Sequence, residues 1–266
     1  MNILITGAAS GIGLATAEIF LKEGHTVYGI DVLPAAEREN FHGFAADITD
    51  AAALDGICLG LQQKAILLDA IVNIAGVHIM ASLVESDYAR MKKVVDINLL
   101  GTMLVNRVFH RCLRENGRIV IVTSEVAGLD PMPFNGLYTV TKTALDSYAQ
   151  ALRQELNLIG QRVVTVQPGA VATPLSSGSV EATRTLADTT ALYQKQAKRF
   201  SGLAAAFMGK PIDPGKIAAL IYKATVTKHP RLTYRKHRNP GLVLLNLLPK
   251  GLQCAIIRGL LNLGSP

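Results

Sequence analysis

Residues 1–31 read MNILITGAASGIGLATAEIFLKEGHTVYGID, and this stretch decides the fold. Asn2–Thr6 is an apolar run expected to form a strand. Gly11–Glu23 spaces its apolar residues as a helix does, and His25–Ile30 is a second strand run. Strands this apolar are not half exposed, so the expected unit is a parallel pair, buried on both faces and joined by a crossover helix. The pattern continues outward. Phe41–Ala46, Asp69–Asn73, Arg118–Thr123 and Arg162–Gln167 are expected strands, and Ala51–Lys64, Asp87–Leu113 and Leu137–Leu158 expected helices, the middle one with a kink. Later, Asp213-Pro214 opens a helix to about Thr227, and Arg231–Tyr234 is a last short strand. This alternation specifies an α/β fold with a parallel sheet covered by helices on both faces. No repeat or linker interrupts it, so residues 1–266 are expected to form one domain.

The chain is 49% hydrophobic and 18% charged, which excludes global disorder and low-complexity architectures. Cys58, Cys112 and Cys254 are an odd, widely spaced set, so neither a disulfide framework nor a metal site is expected, and a reducing, cytoplasmic compartment is. The opening MNILITG reads as a strand and not as a signal peptide. The formal charge of +7 is uneven. Residues 1–176 hold 13 Lys/Arg and 17 Asp/Glu, a net of −4, whereas residues 177–266 hold 14 and three, a net of +11. Such a surplus marks either an anionic partner or a solvated rim. Nucleic acid is not expected, because the basic residues are not interleaved with stacking aromatics and the chain has no tryptophan.

Between the first strand and helix lies Thr6-Gly7-Ala8-Ala9-Ser10-Gly11-Ile12-Gly13. Glycine admits positive φ and close backbone approach, so such a turn aims N–H groups and the positive end of the helix dipole at a pyrophosphate. Asp31 follows Gly13 by 18 residues, at the end of the second strand, where a carboxylate meets an adenosine ribose. It would repel a 2′-phosphate, and the turn holds no Arg or Lys, so NAD is favoured over NADP. Tyr138-Thr139-Val140-Thr141-Lys142 places Tyr and Lys on one helical face. A neighbouring ammonium favours phenolate, and a shift of about three pKa units, worth roughly 4 kcal/mol, brings a phenol into the range of general acid–base work.

TGAASGIG, Asp47-Ile48, Asn73-Ile74-Ala75-Gly76, Asn98, Ser124, YTVTK and Pro168-Gly169-Ala170-Val171-Ala172-Thr173 occur in this order. Together, to about residue 234, they resemble a short-chain dehydrogenase/reductase of the common single-domain type. The resemblance implies a Rossmann-like, doubly wound, three-layer αβα fold. It implies that Tyr138 moves the proton at the substrate oxygen, that Lys142 lowers the Tyr138 pKa and bonds the nicotinamide ribose, and that Ser124 orients the carbonyl or hydroxyl. Asn98 would hold a water linking Lys142 to solvent. The cofactor surface would comprise Gly7, Ser10, Gly11, Ile12, Gly13 and Asp31, with Asp47 and Ile48 by the adenine and Asn73, Ala75 and Gly76 along the ribose side. Tyr138, Lys142, Pro168, Val171 and Thr173 would complete it near the nicotinamide. Two departures stand out. Ile74 replaces the family's second Asn, and the two flanks of Ser124-Glu125-Val126-Ala127-Gly128 give different registers. Counting from the strand puts Ser124 in the serine place; counting back from Gly128 or Tyr138 puts Glu125 there. Strands alternate strictly and loops accept insertions, so the strand register is preferred.

In this family the segment after Pro174 covers the substrate. Residues 175–210 are expected to form that lid, helical over Leu186–Phe207, with Leu192, Phe200, Leu203 and Phe207 available to line an apolar pocket or to pack on the domain. Phe134 and Leu137 favour a bulky apolar substrate, and Pro133-Phe134-Asn135 and the long tail look like members acting on steroids, retinoids and related alcohols. In the basic tail, residues 235–266, Leu252, Ile256, Leu260 and Leu263 share one helical face. With Arg235, Lys236, Arg238 and Lys250 nearby, this is either an interfacial element touching the inner face of a membrane or a surface packed on its own core or a dimer partner. Homodimers or homotetramers are the family expectation. The reading is an NAD-dependent oxidoreductase for a small hydrophobic secondary alcohol or ketone. Its alternatives are a reductase of the 3-oxoacyl-carrier-protein type and a catalytically silent dinucleotide-binding regulator.

Overall fold

Successive residues of a strand face opposite sides of the sheet, and here both sides are apolar. Ile3 and Ile5 of β1 (Asn2–Thr6) point to one core and Leu4 to the other, all fully buried. The same alternation runs through β2 (Thr26–Asp31), β4 (Leu68–Asn73), β5 (Leu113–Val122) and β6 (Arg162–Pro168). With β3 (Phe41–Ala45) and β7 (Thr233–Lys236) they form a seven-stranded sheet in the order β3-β2-β1-β4-β5-β6-β7, every pair parallel. This computed structural model describes all residues except 35–36, 208–209 and 264–266, and all side chains of the described residues except those of 180 and 204–207.

On one face, α1 (Gly11–Lys22) and α8 (Pro214–Val226) bury Ala17, Phe20, Ile217 and Ile221. On the other, α2 (Ala51–Gln63), α4 (Thr102–Phe109) and α5 (Gly136–Asn157) bury Leu54, Val105, Phe109 and Leu145. The doubly wound, three-layer expectation therefore holds. Cys58 and Cys112 are free thiols in this second core, 3.2 Å apart.

The expected long helix is broken as its kink foretold. α3 (Tyr88–Val95) passes through a π-helical turn, Asp96–Gly101, into α4, and a 3-10 turn ends it at Cys112. Strand β5 begins five residues earlier than expected, because Leu113 pairs with Leu68 before the ladder resumes at Arg118–Ala70. Strand β7 lies two residues later than expected. After β6 come α6 (Pro174–Thr189) and α7 (Gln194–Phe207), and the tail forms α9 (Pro240–Asn246) and α10 (Lys250–Asn262).

Chain order reverses between β1 and β4: the chain winds outward to β3 and then returns to β4. A crevice opens at such a switch point, beyond the carboxyl ends of the strands. Arg118 steadies the opposite end of the sheet. Its buried guanidinium donates to the carbonyls of Ala224 (2.6 Å), Thr225 and Thr227 (2.9 Å), where α8 ends and its dipole is negative. Arg118→Ala strands these acceptors and should cost about 3 kcal/mol, read as a lower urea midpoint. An unchanged midpoint would contradict the role given to this side chain.

Candidate active site

The crevice opens where β1 runs into the glycine turn. Gly7 (φ +72°) and Gly11 (φ +52°) occupy the left-handed region that glycine alone enters cheaply. A Cβ on Gly13 would stand 1.8 Å from the Gly7 carbonyl oxygen, so α1 packs against the turn only because that position is glycine. Ser10 is the N-cap of α1, and its side chain makes no capping bond. The Thr6 hydroxyl ties the end of β1 to the chain leaving β4, accepting from the N–H groups of Ile74 (3.1 Å) and Ala75 (3.2 Å).

Asp31 closes β2. Its carboxylate accepts from the N–H of Ala9 in the glycine turn (3.0 Å) and from that of Leu33 (3.0 Å), and the residue borders the cleft. It is therefore a turn clamp and a cleft wall at once. Gly7, Ser10, Gly11, Ile12, Gly13, Asp47, Ile48, Ala75, Gly76, Pro168, Val171 and Thr173 line the same cleft. Thr173 also caps α6 through a capping box with Ser176. A tight glycine cradle at a helix N-terminus, with a carboxylate one strand away, fits a dinucleotide in shape and in donor chemistry.

Two expected site residues point elsewhere. Asn73 does not line the cleft; its amide is buried and donates to Asn106 Oδ1 (2.8 Å), where β4 packs on α4. Asn98, in the π-helical turn, is fully buried. Its Oδ1 accepts from Val77 N–H (2.8 Å), and its Nδ2 donates to the Val77 carbonyl (2.8 Å) and to Thr141 Oγ1 (3.1 Å). The widened turn thus spends the whole amide on joining the chain after β4 to α5.

Helix α5 carries Tyr138 and Lys142 on its buried face. The Ser124 hydroxyl, at the end of the β5 strand path, stands near enough to Tyr138 to lower its pKa, while the Glu125 carboxylate accepts from Asn239 N–H in the tail (2.6 Å). Ser124 and Glu125 both border the cleft. Lys142 Nζ reaches the Val122 carbonyl at 3.4 Å and lies 5.7 Å from the centre of the Tyr138 ring.

Electrostatics here depart from expectation. Burial pushes the Tyr138 phenol up to about 12; the Ser124 bond pulls it down and the Glu125 charge adds to the rise. Burial also lowers the Lys142 ammonium to about 8. Burial is the leading cause of both shifts, and it moves each group away from its charged form. The resting state therefore pairs a neutral phenol with a costly buried ammonium.

His78 is a pocket residue that sequence reasoning missed. Its ring stands edge-on to Tyr138 with centroids 4.3 Å apart, Nε2 bonds Asn135 Oδ1 (2.9 Å), and Nδ1 bonds Ser179 Oγ of α6 (2.5 Å). Burial holds its pKa below the usual imidazole value, against the Asn135 bond and with help from Lys142. Its place two residues after Gly76 was the only sequence signal.

The same space, about 870 Å³ in all, also has an apolar lining. Phe200 and Leu203 of α7 line it as expected. Leu192 does not; it is exposed, and the Phe207 side chain lies outside those described. Phe134 and Leu137 do not line it either. Phe134, at φ +65°, packs its ring on Tyr193 and Phe200 and so supports α7. The tail forms the rest of the wall through Leu242, Leu245, Leu248, Ile257, Leu260 and Leu261. Its expected face is split: Ile256 and Leu260 reach the cavity, whereas Leu252 and Leu263 are exposed. Asp130 fastens the tail, pairing with Lys250 (3.4 Å) and accepting from Gln253 Nε2 (3.1 Å), while its N–H donates to Asn246 Oδ1 (2.5 Å).

This arrangement is shared with known proteins. A family model described as short chain dehydrogenase matches residues 1–184. Serine 3-dehydrogenase of Rhizobium radiobacter is 36% identical over 180 residues, covering 65% of this chain and 72% of that protein. Sorbitol-6-phosphate 2-dehydrogenase of Klebsiella pneumoniae is 31% identical over 180 residues, 63% of this chain and 67% of the relative. Among solved structures, a short chain dehydrogenase family protein from Francisella tularensis superposes with a TM-score of 0.73 at 25% identity, covering 88% of this chain and 96% of that one. With the sheet order, the glycine turn and the Ser124–Tyr138–Lys142 grouping in hand, the match over most of its length means that the chain belongs to the short-chain dehydrogenase family, whose members use a nicotinamide dinucleotide.

Proposed function

We propose that this protein is an NAD-dependent oxidoreductase that interconverts a hydrophobic secondary alcohol, steroid- or retinoid-like in its apolar bulk, with the corresponding ketone. The observation that carries the reading is that Ser124 and Tyr138 line one continuous space together with the glycine turn and the apolar residues of α7 and the tail. A bound nicotinamide dinucleotide would supply or accept the hydride. The chain's own residues do the rest. Ser124 and Tyr138 hold the substrate oxygen by hydrogen bonds, and Tyr138, protonated at neutral pH, donates its proton to that oxygen during reduction. Lys142 presents an ammonium to the ribose side of the cleft, and Asn98 acts as a positioning residue that fixes Val77 against α5. The leucine-rich wall excludes water from the reacting atoms.

The NAD preference rests on Asp31, whose carboxylate borders the cleft where a 2′-phosphate would need a cation. In calorimetric titrations NAD should bind at least about tenfold more tightly than NADP, and Asp31→Ala should narrow the gap; equal affinities in the parent protein would remove the assignment.

Tyr138→Phe should lower reduction of a 3-ketosteroid by NADH roughly a hundred- to ten-thousand-fold while leaving NADH fluorescence titrations unchanged. An unaffected rate would take Tyr138 out of the mechanism.

Lys142 gives a pH prediction. Its folded pKa is depressed, from 10.5 to about 8, so the unfolded chain binds more protons between those values and stability rises with pH across that window. Below pH 8 the buried ammonium carries its full desolvation cost. Lys142→Met should therefore stabilise the fold at pH 7 by on the order of 3 kcal/mol while abolishing turnover, with the gain shrinking toward pH 10.5. A destabilised variant at pH 7 would contradict this. In the parent enzyme ketone reduction should fall as pH rises through about 8, as the ammonium is lost.

A further inference from the structure

The two helices that close the cavity have a second, outward side. Leu247 at the end of α9 is 76% exposed, and Leu252 in the first turn of α10 is 48% exposed. Between inside and outside stands Leu244, which is 65% exposed and yet lines the cavity, so it marks the mouth. Exposed leucines scattered singly need no explanation, but three within nine residues of one helix–turn–helix corner form a patch. The segments flanking that corner are cationic. Lys236, Arg238, Lys250 and Arg258 are all exposed, and nine Lys/Arg but no acid follow Asp213. Two carboxylates touch the tail: Glu125 accepts from Asn239 N–H, and Asp130 pairs with Lys250 and accepts from Gln253, so the cationic character rests on Lys236, Arg238 and Arg258.

Building on the reading of the site as one for an apolar alcohol or ketone, we propose that the α9–α10 corner docks on an anionic lipid bilayer and that the substrate is an amphiphile drawn from it past Leu244. Leucines flanked by cations match an interface of acyl chains and anionic headgroups. A second copy of the chain would bring this cationic surface against its like, which is unfavourable. An acidic protein would satisfy the charges but not the apolar mouth. The contact is peripheral, because no helix among the described residues is long and apolar enough to cross a membrane.

Flotation of the full chain with phosphatidylcholine vesicles, with and without phosphatidylglycerol, tests this. The protein should float with the anionic vesicles and be released by salt, since the attraction is screened within a Debye length. Leu247→Ser/Leu252→Ser should cut recovery at least about tenfold, and Lys236→Glu/Arg258→Glu should do the same, while melting temperature and NADH titration stay at the parent values. Neither pair lines the cleft. Recovery no better with anionic than with neutral vesicles would overturn the proposal. So would a dimer in solution that Leu247→Ser dissociates without any vesicle binding, which would make the patch a subunit interface. Loss of vesicle binding with ketone reduction intact defeats only this inference. Vesicle binding without any reduction or NADH binding defeats only the enzyme assignment.

Discussion

In a parallel sheet every strand ends on the same edge, and the two faces of this one are sealed by apolar helices. That constraint organises the molecule. Backbone donors that the sheet leaves unpaired, and side chains free of the core, collect at the carboxyl edge where β1 and β4 part. The glycine turn, Asp31, the Ile74–Val77 segment, Ser124 and the Pro168–Thr173 run all leave the sheet there, from five different strands. Tyr138 and Lys142 come instead from a helix, and the π-helical turn holds that helix in register through the Asn98 amide.

The same packing that fixes the site also strains it. A lysine buried beneath a tyrosine is a poor choice for stability, and both groups move away from their ordinary pKa values in the direction that disfavours charge. Sites that do chemistry often retain such costs. Phe134 shows a similar compromise in the backbone. Its left-handed conformation is unusual for an aromatic residue, and it goes with a ring packed on Phe200 of α7, which lines the cavity.

What the sequence made legible was local. Strand alternation, the spacing of three glycines and an acid at a strand end each follow from short stretches, and all lie where expected. Strand alternation also preferred Ser124 to Glu125 for the serine place, and in the fold Ser124 lowers the Tyr138 pKa whereas Glu125 raises it and holds Asn239 N–H. What failed depended on partners distant in the chain. Asn73 looks like a cleft residue until Asn106 claims it, 33 positions away. Phe134, Leu137 and Leu192 are apolar at plausible spacings, but periodicity identifies a face without saying what covers it. His78 gains its meaning from Asn135, 57 residues on, and Ser179, 101 residues on, and the tail's inner face only from the cavity it closes.

The central claim is that a hydride passes between a nicotinamide cofactor and an apolar substrate held at Ser124 and Tyr138. The most direct measurement supplies NADH deuterated at both C4 positions together with a 3-ketosteroid, or with a long-chain 2-ketone in anionic vesicles. The account predicts product alcohol carrying one deuterium on the carbinol carbon, formed by the parent enzyme. Alcohol formed without that deuterium, or no alcohol from either ketone, would contradict it.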